Sequence, residues 1–554
     1  MRSGKSGIDR RRLLGAGAAL GAGPAIAAGL PGTARAAAAT PPVRVTAADE
    51  RYVDLISGWN QRWVSHPESV FLVTEARQIA ALVEQAVASG RQLTVRSGGH
   101  CYEDFAYQPD TQVILDLTGM NKVGYDDQRG AFFVEPGALL LDVYEQLYRR
   151  FGVTIPAGVC FQVGAGGHVA GGGWGLLCRE LGLVVDYLAA VEVVVVGANG
   201  KARTIVATRE PNDPNRELWW AHTGGGGGNF GVVTRYWFAT PGATGTDPAA
   251  RLPHPPAEVV ISAVSWSWSE LTKDDFTRLV RNYGRWHEQH SAPGDPYAGL
   301  CSLFSLNHRK NGAVGLVTQM DGSVPDAEGL IEAFVSAVAE GVGAARGHVT
   351  TSMGELGPLP GLANARRMPW MHASRMLGTA NPTTNDPTLK GDFKSAYMKR
   401  ALPQSQIDAY YEHLTREDLG NTTASVMLSS FGGRVNTVAP DATAFPHRDS
   451  VFKAIWMIWW TDPAQEQPCL SWIREFYEQV YAATGGVPVP SDLADGCYLN
   501  YADIDLNDPA RNRSGVPWSE LYYRGNYPRL QRVKEAYDPL NFFRHGQSVR
   551  LPSA

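Results

Sequence analysis

The sequence predicts an α+β protein built in successive parts. Three observations carry this reading. A strand–helix–strand pattern at 66–99 opens a region where short strands run into glycine-rich turns. The composition then turns rich in Pro and Ala at 240–256. Beyond 257, long amphipathic helices alternate with aromatic strands. The last pattern is that of an antiparallel sheet backed by helices.

The elements follow in order. Val70–Val73 is a short strand. Glu75–Ser89 places Ile79, Leu82, Val83 and Ala86 at helical spacing, and Gly90 closes it. Leu93–Val95 is the next strand and runs into Ser97-Gly98-Gly99. Val113–Leu117 and Ala131–Val134 are further strands, and Leu139–Phe151 is an amphipathic helix ending at Gly152. Val191–Val196 is a buried strand closed by an Asn199-Gly200 hairpin turn. A second glycine run, Thr223-Gly224 to Gly231, precedes strand Val232–Phe238. In the next part, helices at Asp274–His287, Asp326–Glu340, Gln404–Glu412 and Cys469–Thr484 alternate with strands at Val259–Trp268, Val426–Phe431 and Val451–Trp460. The predicted divisions are 45–240, 257–490 and a tail at 491–550, with no internal repeat.

A chain of 554 residues buries a substantial core and divides into two or three domains. Its formal charge of -5 gives no basic footprint, which argues against a nucleic-acid partner. The six cysteines are scattered without a CxxC pair; Cys178, Cys301, Cys469 and Cys497 read as buried thiols or one disulfide, with the pairing open. At the N-terminus, Asp9-Arg10-Arg11-Arg12-Leu13-Leu14 precedes a weakly apolar stretch, Gly15–Gly29, and the small-x-small site Ala34-Arg35-Ala36. Residues 1–36 therefore read as a twin-arginine signal, and the protein is expected to be secreted or periplasmic. No later segment is long and apolar enough for a membrane anchor.

The chemistry concentrates between Arg96 and Asp186. Arg96-Ser97-Gly98-Gly99-His100 ends a strand in consecutive unshielded amides, an anion nest suited to a pyrophosphate. Cys160 follows Pro156-Ala157-Gly158 and precedes Val163-Gly164-Ala165-Gly166-Gly167-His168 and Gly171-Gly172-Gly173-Trp174-Gly175. An imidazole and a thiol thus each stand beside bare backbone. That suits a large flat cofactor bonded twice: the 8α-methyl and C6 of an isoalloxazine both lie on its benzenoid edge, open to attack from two loops. Other signals are weaker. His287-x-x-His290 lacks a third metal ligand. The glycines at 224–228 lead into a strand, so they give no dinucleotide fingerprint. Trp266, Trp268, Trp456, Trp459 and Trp460 suit sugar stacking, but strand alternation assigns most to the core.

These strings resemble the berberine-bridge-enzyme-like branch of the vanillyl-alcohol-oxidase family, over roughly residues 45–550. Val191–Val196, Trp219-Trp220-Ala221-His222-Thr223 and Tyr522-Tyr523-Arg524-Gly525-Asn526 make the chain most similar to bacterial oxidases of antibiotic pathways and to carbohydrate oxidases. The resemblance implies a two-subdomain FAD-binding domain of the vanillyl-alcohol-oxidase (PCMH) type plus an α+β substrate domain. It implies bicovalent FAD, with His100 on the 8α carbon and Cys160 on C6. The first loop would contribute Arg96, Ser97, Gly98, Gly99 and Cys101 to the cofactor, and the second Gly158, Val163, Gly164, Gly166, Gly167 and His168. Gly172, Gly173 and Gly175 would follow, then Gly228, Asn229 and Gly231, and finally Asn500 and Asn541. Asp538-Pro539-Leu540-Asn541-Phe542-Phe543 would close over the flavin.

Asn500-Tyr501 matches the family's Asn-Tyr pair. There the tyrosine takes the hydroxyl proton while hydride passes from carbon to flavin N5. A phenol has a pKa of about 10, so such a base needs a nearby cation or hydrogen bonds. Tyr498 is a second candidate. Val163 goes with dioxygen reactivity in plant relatives. Trp174 departs from the family, whose usual residue there is Tyr, and so removes a hydroxyl. The expected activity is oxidation of an alcohol or hemiacetal, on a sugar or a secondary metabolite, with O2 reduced to H2O2. The alternative is a flavin-dependent dehydrogenase or oxidative cyclase using another acceptor. A non-catalytic exported binding protein and a zinc hydrolase are the readings from other classes.

Overall fold

Three sheets organise the chain from Pro41 onward, which packs as one unit. The computed structural model describes residues 40–378, 384 and 386–553; the expected signal at 1–36 lies outside them.

The first sheet holds β1 (Val43–Val45), β2 (Ser69–Leu72), β3 (Leu93–Arg96) and β4 (Val113–Asp116) in the order β1-β2-β4-β3. The helix Ala76–Ala88 crosses from β2 to β3 and buries Ile79, Leu82, Val83 and Ala86, as the spacing predicts. However, β2 and β3 do not pair with each other. Each pairs in parallel with β4, which lies between them. Local periodicity shows that a helix crosses over a sheet but not how many strands it passes.

The second sheet is antiparallel: β5 (Val123–Asp126), β6 (Ala131–Val134), β7 (Leu188–Val196), β8 (Ala202–Thr208) and β9 (Val232–Phe238), in the order β5-β6-β9-β7-β8. The β7–β8 hairpin turns at Gly200, whose φ of 74° is the left-handed value that the Asn-Gly signal anticipates. The helix Leu140–Phe151 ends as predicted at Gly152.

The third sheet has eight antiparallel strands. They are β10 (Glu258–Ser267), β11 (Leu300–Asn307), β12 (Ala313–Asp321), β13 (Gly347–His348), β14 (Arg366–Pro369), β15 (Lys390–Met398), β16 (Ser425–Ser430) and β17 (Phe452–Trp460). The path runs β13-β10-β12-β11-β16-β17-β15, with β14 beside β10. The helices Lys273–Gln289, Ala327–Val338, Gln404–Leu414 and Glu466–Val480 pack against this sheet and one another. The first starts in a capping box: Thr272 Oγ1 accepts the Asp275 amide, and Asp275 accepts the Thr272 amide. Trp266, Trp268, Trp456, Trp459 and Trp460 are all buried in the core. Strands β11, β12 and β15 escape periodicity because they are buried almost throughout and carry polar residues such as Ser302, Thr318 and Lys394 inside.

A buried ionic cluster ties the tail to this sheet. Lys394 Nζ on β15 donates to Asp503 Oδ1 at 2.9 Å and to Asp505 Oδ2 at 2.8 Å. Arg474 holds the two Asp505 oxygens at 2.8 and 2.9 Å. Burial opposes the Lys394 charge, but Asp503, Asp505 and Asp392 outweigh it and hold the ammonium above its ordinary value. This clamp fixes the segment that begins a few residues earlier with Asn500-Tyr501.

Candidate active site

The site starts from two loops that meet. Arg96, at the end of β3, bonds Asp116 at the end of β4 (Nη1–Oδ2 2.8 Å), and Asp116 also accepts the Thr118 amide. The chain must then turn at Ser97–Gly99, where Ser97 Oγ donates to the Pro136 carbonyl at 2.6 Å. Gly164 precedes the helix Ala165–Ala170 on the second loop. A Cβ on Gly98 would overlap the Gly164 nitrogen and stand 2.9 Å from its Cα; a Cβ on Gly164 would overlap Ser97 Oγ and the Gly98 nitrogen. Two bare backbones are in contact, and any side chain would part them.

This contact brings His100 and Cys160 to one cavity of about 350 Å³. The same wall contains Arg96, Ser97, Gly98, Gly99, Cys101, Gly158, Val163, Gly164, Gly166, Gly167 and His168. His100 stacks on Trp59, 5.6 Å between rings and 13° between planes. Burial, helped by Arg96, lowers its pKa to about 4, so it is a neutral imidazole with a free lone pair near neutral pH. Burial pushes the Cys160 thiol up, with Glu355 adding to the effect. Cys101 is pushed up to about 12, chiefly by burial. His168 Nε2 accepts the Gly158 amide at 3.1 Å, which ties the Cys160 loop to the short helix.

The second glycine run supplies another face of the wall, including Gly228, Asn229 and Gly231. Asn229 is its fastener: Nδ2 donates to the Gly225 carbonyl at 2.9 Å, and Oδ1 accepts the Val549 amide at 2.8 Å. Lys534 Nζ donates to the Asn229 carbonyl at 2.7 Å and to Asp538 at 2.6 Å. Asp538 in turn accepts the Phe542 and Phe543 amides, so the 538–543 loop wraps a buried ion pair, and Phe543 reaches the cavity.

Four expected contacts are not in the cavity wall. Asn541 sits in a turn with φ of 50°. Gly172, Gly173 and Gly175 make room for protein: a Cβ on them would collide with Phe445, Val184 and the Ala157 carbonyl respectively. Glycine density alone does not separate close approach to a ligand from close approach to another part of the chain.

Asn500 and Tyr501 line the cavity from the C-terminal side. Asn500 Nδ2 donates to the His168 carbonyl at 3.1 Å and to Tyr498 Oη at 3.0 Å, and Tyr498 Oη also accepts the Trp174 amide. The Tyr498 hydroxyl is thus committed to structure. Tyr501 Oη instead accepts a hydrogen bond from Lys453 Nζ at 2.9 Å. Lys453 stands 3.8 Å from the Trp174 ring centre and 4.4 Å from that of Tyr501. Burial pulls Lys453 down to about 7. Burial, then Glu355, Tyr498 and Cys160, push the Tyr501 phenol above its ordinary value.

Lys453, Glu355, Tyr102 and Trp59 were not anticipated. The available signal for Lys453 was a single charge in the otherwise apolar run 452–460. Tyr102 stacks on Tyr501 (5.7 Å, 19°) and on Phe393 (3.8 Å, 16°), and its hydroxyl donates to Glu355 Oε1 at 3.2 Å. The weaker histidine signal is otherwise engaged. His287 bonds the Tyr283 carbonyl and Ser430 through its two nitrogens, and His290 bonds Asp295.

Residues 67–205 match the FAD binding domain family, and residues 497–550 match the family described as berberine and berberine like. The chain is 46% identical to the aclacinomycin-N/aclacinomycin-A oxidase of Streptomyces galilaeus over 98% of its own length and 99% of that protein's. It is 32% identical to the hexose oxidase of Chondrus crispus, over 91% of this chain and 94% of that one. Among solved structures, CrmK, a flavoenzyme of caerulomycin biosynthesis, superposes with a TM-score of 0.88 at 46% identity, covering 93% of this chain and 100% of CrmK. The chain belongs to the berberine-bridge-like family of FAD-linked oxidoreductases.

The cavity fits FAD. Side-chain-free backbone faces it at Gly98, Gly99, Gly164 and Gly166, and at Gly167 and Gly227 a Cβ would meet nothing within 4 Å. As an expected outcome, Gly164→Ala parts the two loops and the purified protein loses most of its yellow colour. Gly525→Ala, where a Cβ also meets nothing within 4 Å, keeps it. Absorbance of flavin relative to protein checks both.

Proposed function

We propose that this FAD-linked enzyme oxidises an alcohol or cyclic hemiacetal, on a sugar or a glycosylated natural product, and delivers the electrons to dioxygen to form H2O2. One observation carries the reading: the Lys453–Tyr501 hydrogen bond of 2.9 Å, with Tyr501 on the same cavity wall as His100 and Cys160. The names of two relatives, an aclacinomycin oxidase and a hexose oxidase, support that substrate range.

His100 and Cys160 would hold the cofactor by two covalent bonds. His100 is suited to this because burial keeps its imidazole unprotonated and nucleophilic. Cys160 is a thiol at neutral pH, so its proton must leave as its bond forms. When bound, FAD would supply the acceptor for hydride from the carbinol carbon and the route for the electrons to dioxygen. Val163, beside Cys160 on the wall, is small and apolar, which supports dioxygen as the acceptor. Export through the twin-arginine signal would carry the protein already folded around its cofactor.

The rest is proton management. Oxidation releases the hydroxyl proton, and Tyr501 is placed to receive it. Alone, a buried phenol is a poor acceptor, because burial opposes the phenolate it would start from. With Lys453, the two groups act as one acceptor: once the pair has lost a proton, an ammonium–phenolate or amine–phenol arrangement can take the proton of the substrate. The sign follows from Lys453 at about 7. Below that pH the pair is fully protonated and has no room for another proton; above it, room exists.

Two outcomes are expected. His100→Ala and Cys160→Ala singly leave flavin attached after acid precipitation, whereas the double variant releases it; covalent flavin in the double variant would refute the linkage. The rate of flavin reduction rises with pH and levels above about 7, and Tyr501→Phe lowers the plateau by about 10²–10⁴ with flavin content intact. Lys453→Met removes the inflection near 7. Stopped-flow reduction across that range is the measurement, and an inflection that survives in Lys453→Met would contradict the paired acceptor.

A further inference from the structure

The cavity wall has two textures. The glycine loops supply bare backbone. The large sheet and the loops near it supply Leu303 from β11, Met427 from β16, and Leu356 and Leu377. Within this apolar portion stands Glu355, the only acidic side chain lining the cavity among the described residues. It is partly exposed there. Among the described residues its one hydrogen bond comes from a neutral group, the Tyr102 hydroxyl at 3.2 Å.

A carboxylate in such a place normally has a counter-ion, because burying a charge without one is costly. Lys453 attracts Glu355, but its ammonium is hydrogen-bonded to Tyr501 and is not among the lining residues. Arg96 is paired with Asp116. The groups that feel Glu355 are Tyr102, Tyr501, Cys160 and Lys453; Lys453 offsets its charge from beyond ion-pair distance, and Glu355 makes no ion pair among the described residues. A cation on a ligand in the chamber would find this carboxylate without a direct ionic partner.

We propose that Glu355 is the specificity-determining residue of the substrate chamber, and that it pairs with a protonated amine carried close to the alcohol being oxidised. The inference rests on the oxidase reading above and narrows its substrate to amino alcohols, such as an amino sugar. It also couples binding to chemistry. Glu355 is one of the charges that oppose loss of the Tyr501 proton. An ammonium bound to Glu355 cancels that charge and eases proton release at the neighbouring phenol.

A matched series of probes tests it without turnover: trans-2-aminocyclohexanol, trans-1,2-cyclohexanediol and cyclohexanol, titrated calorimetrically under anaerobic conditions into the flavin-loaded protein with its flavin chemically reduced, near pH 7. These differ only in the group beside the carbinol. The amine is expected to bind about tenfold tighter than the diol, the step from a neutral to a charge-assisted hydrogen bond. Glu355→Gln should bring the two together, while Glu355→Asp keeps part of the preference; flavin content and thermal midpoint confirm that the variants are folded. Because burial raises the Glu355 pKa, the preference should fade as pH drops through that value and the carboxylate is protonated. Equal binding of amine and diol, an undiminished preference in Glu355→Gln, or no heat from the amine would overturn the proposal. Peroxide release by the wild-type enzyme from any alcohol tests the oxidase reading separately, so either can fail alone.

Discussion

Gly98 resting on Gly164 is the constraint on which the site depends. Everything reactive at this end of the molecule is placed by it. Arg96–Asp116 brings the first loop to the contact point, and the helix Ala165–Ala170 brings the second. With no Cβ on either side, the backbones close, and the imidazole and thiol that flank them in sequence arrive at one cavity. The remaining glycine run, fastened by Asn229 and Lys534, adds a wall without side chains. The result is a surface of peptide groups that a flat cofactor can approach closely.

Opposed to this bare surface is a charged arrangement that the apolar interior makes strong. Lys453, Tyr501 and Glu355 lie together where water is scarce, so each shifts the others. Burial moves the lysine down and the phenol up, drawing both proton affinities away from their ordinary values. Trp174 takes part through its ring face on Lys453, which needs no hydroxyl, and this gives physical sense to the aromatic exchange at that position. The Lys394–Asp503–Asp505 clamp anchors the segment that presents Tyr501, so the tail is held by buried ion pairs that begin two residues after the tyrosine.

Much of this was legible in the sequence wherever it was written locally. The helix Ala76–Ala88, the Gly152 and Gly200 stops and the two loops are short strings whose meaning is carried by their own spacing, whereas Asn500-Tyr501 stood out only through the family resemblance. What escaped is what long-range packing decides. The insertion of β4 between β2 and β3 leaves no trace in either strand. Glu355 reaches the cavity, and Lys453 reaches Tyr501 behind its wall, from elements hundreds of residues from His100, and a single charge in an apolar strand does not announce its partner. Gly172, Gly173 and Gly175 resemble the cofactor loops in composition yet serve Phe445, Val184 and Ala157, because glycine permits any close neighbour.

The central claim is that two separate loops hold one cofactor. Tryptic mapping of the mature protein by mass spectrometry tests it most directly. The account predicts a single species in which the peptide containing His100 and the peptide containing Cys160 are joined through one FAD. Recovery of both peptides at their unmodified masses would contradict it.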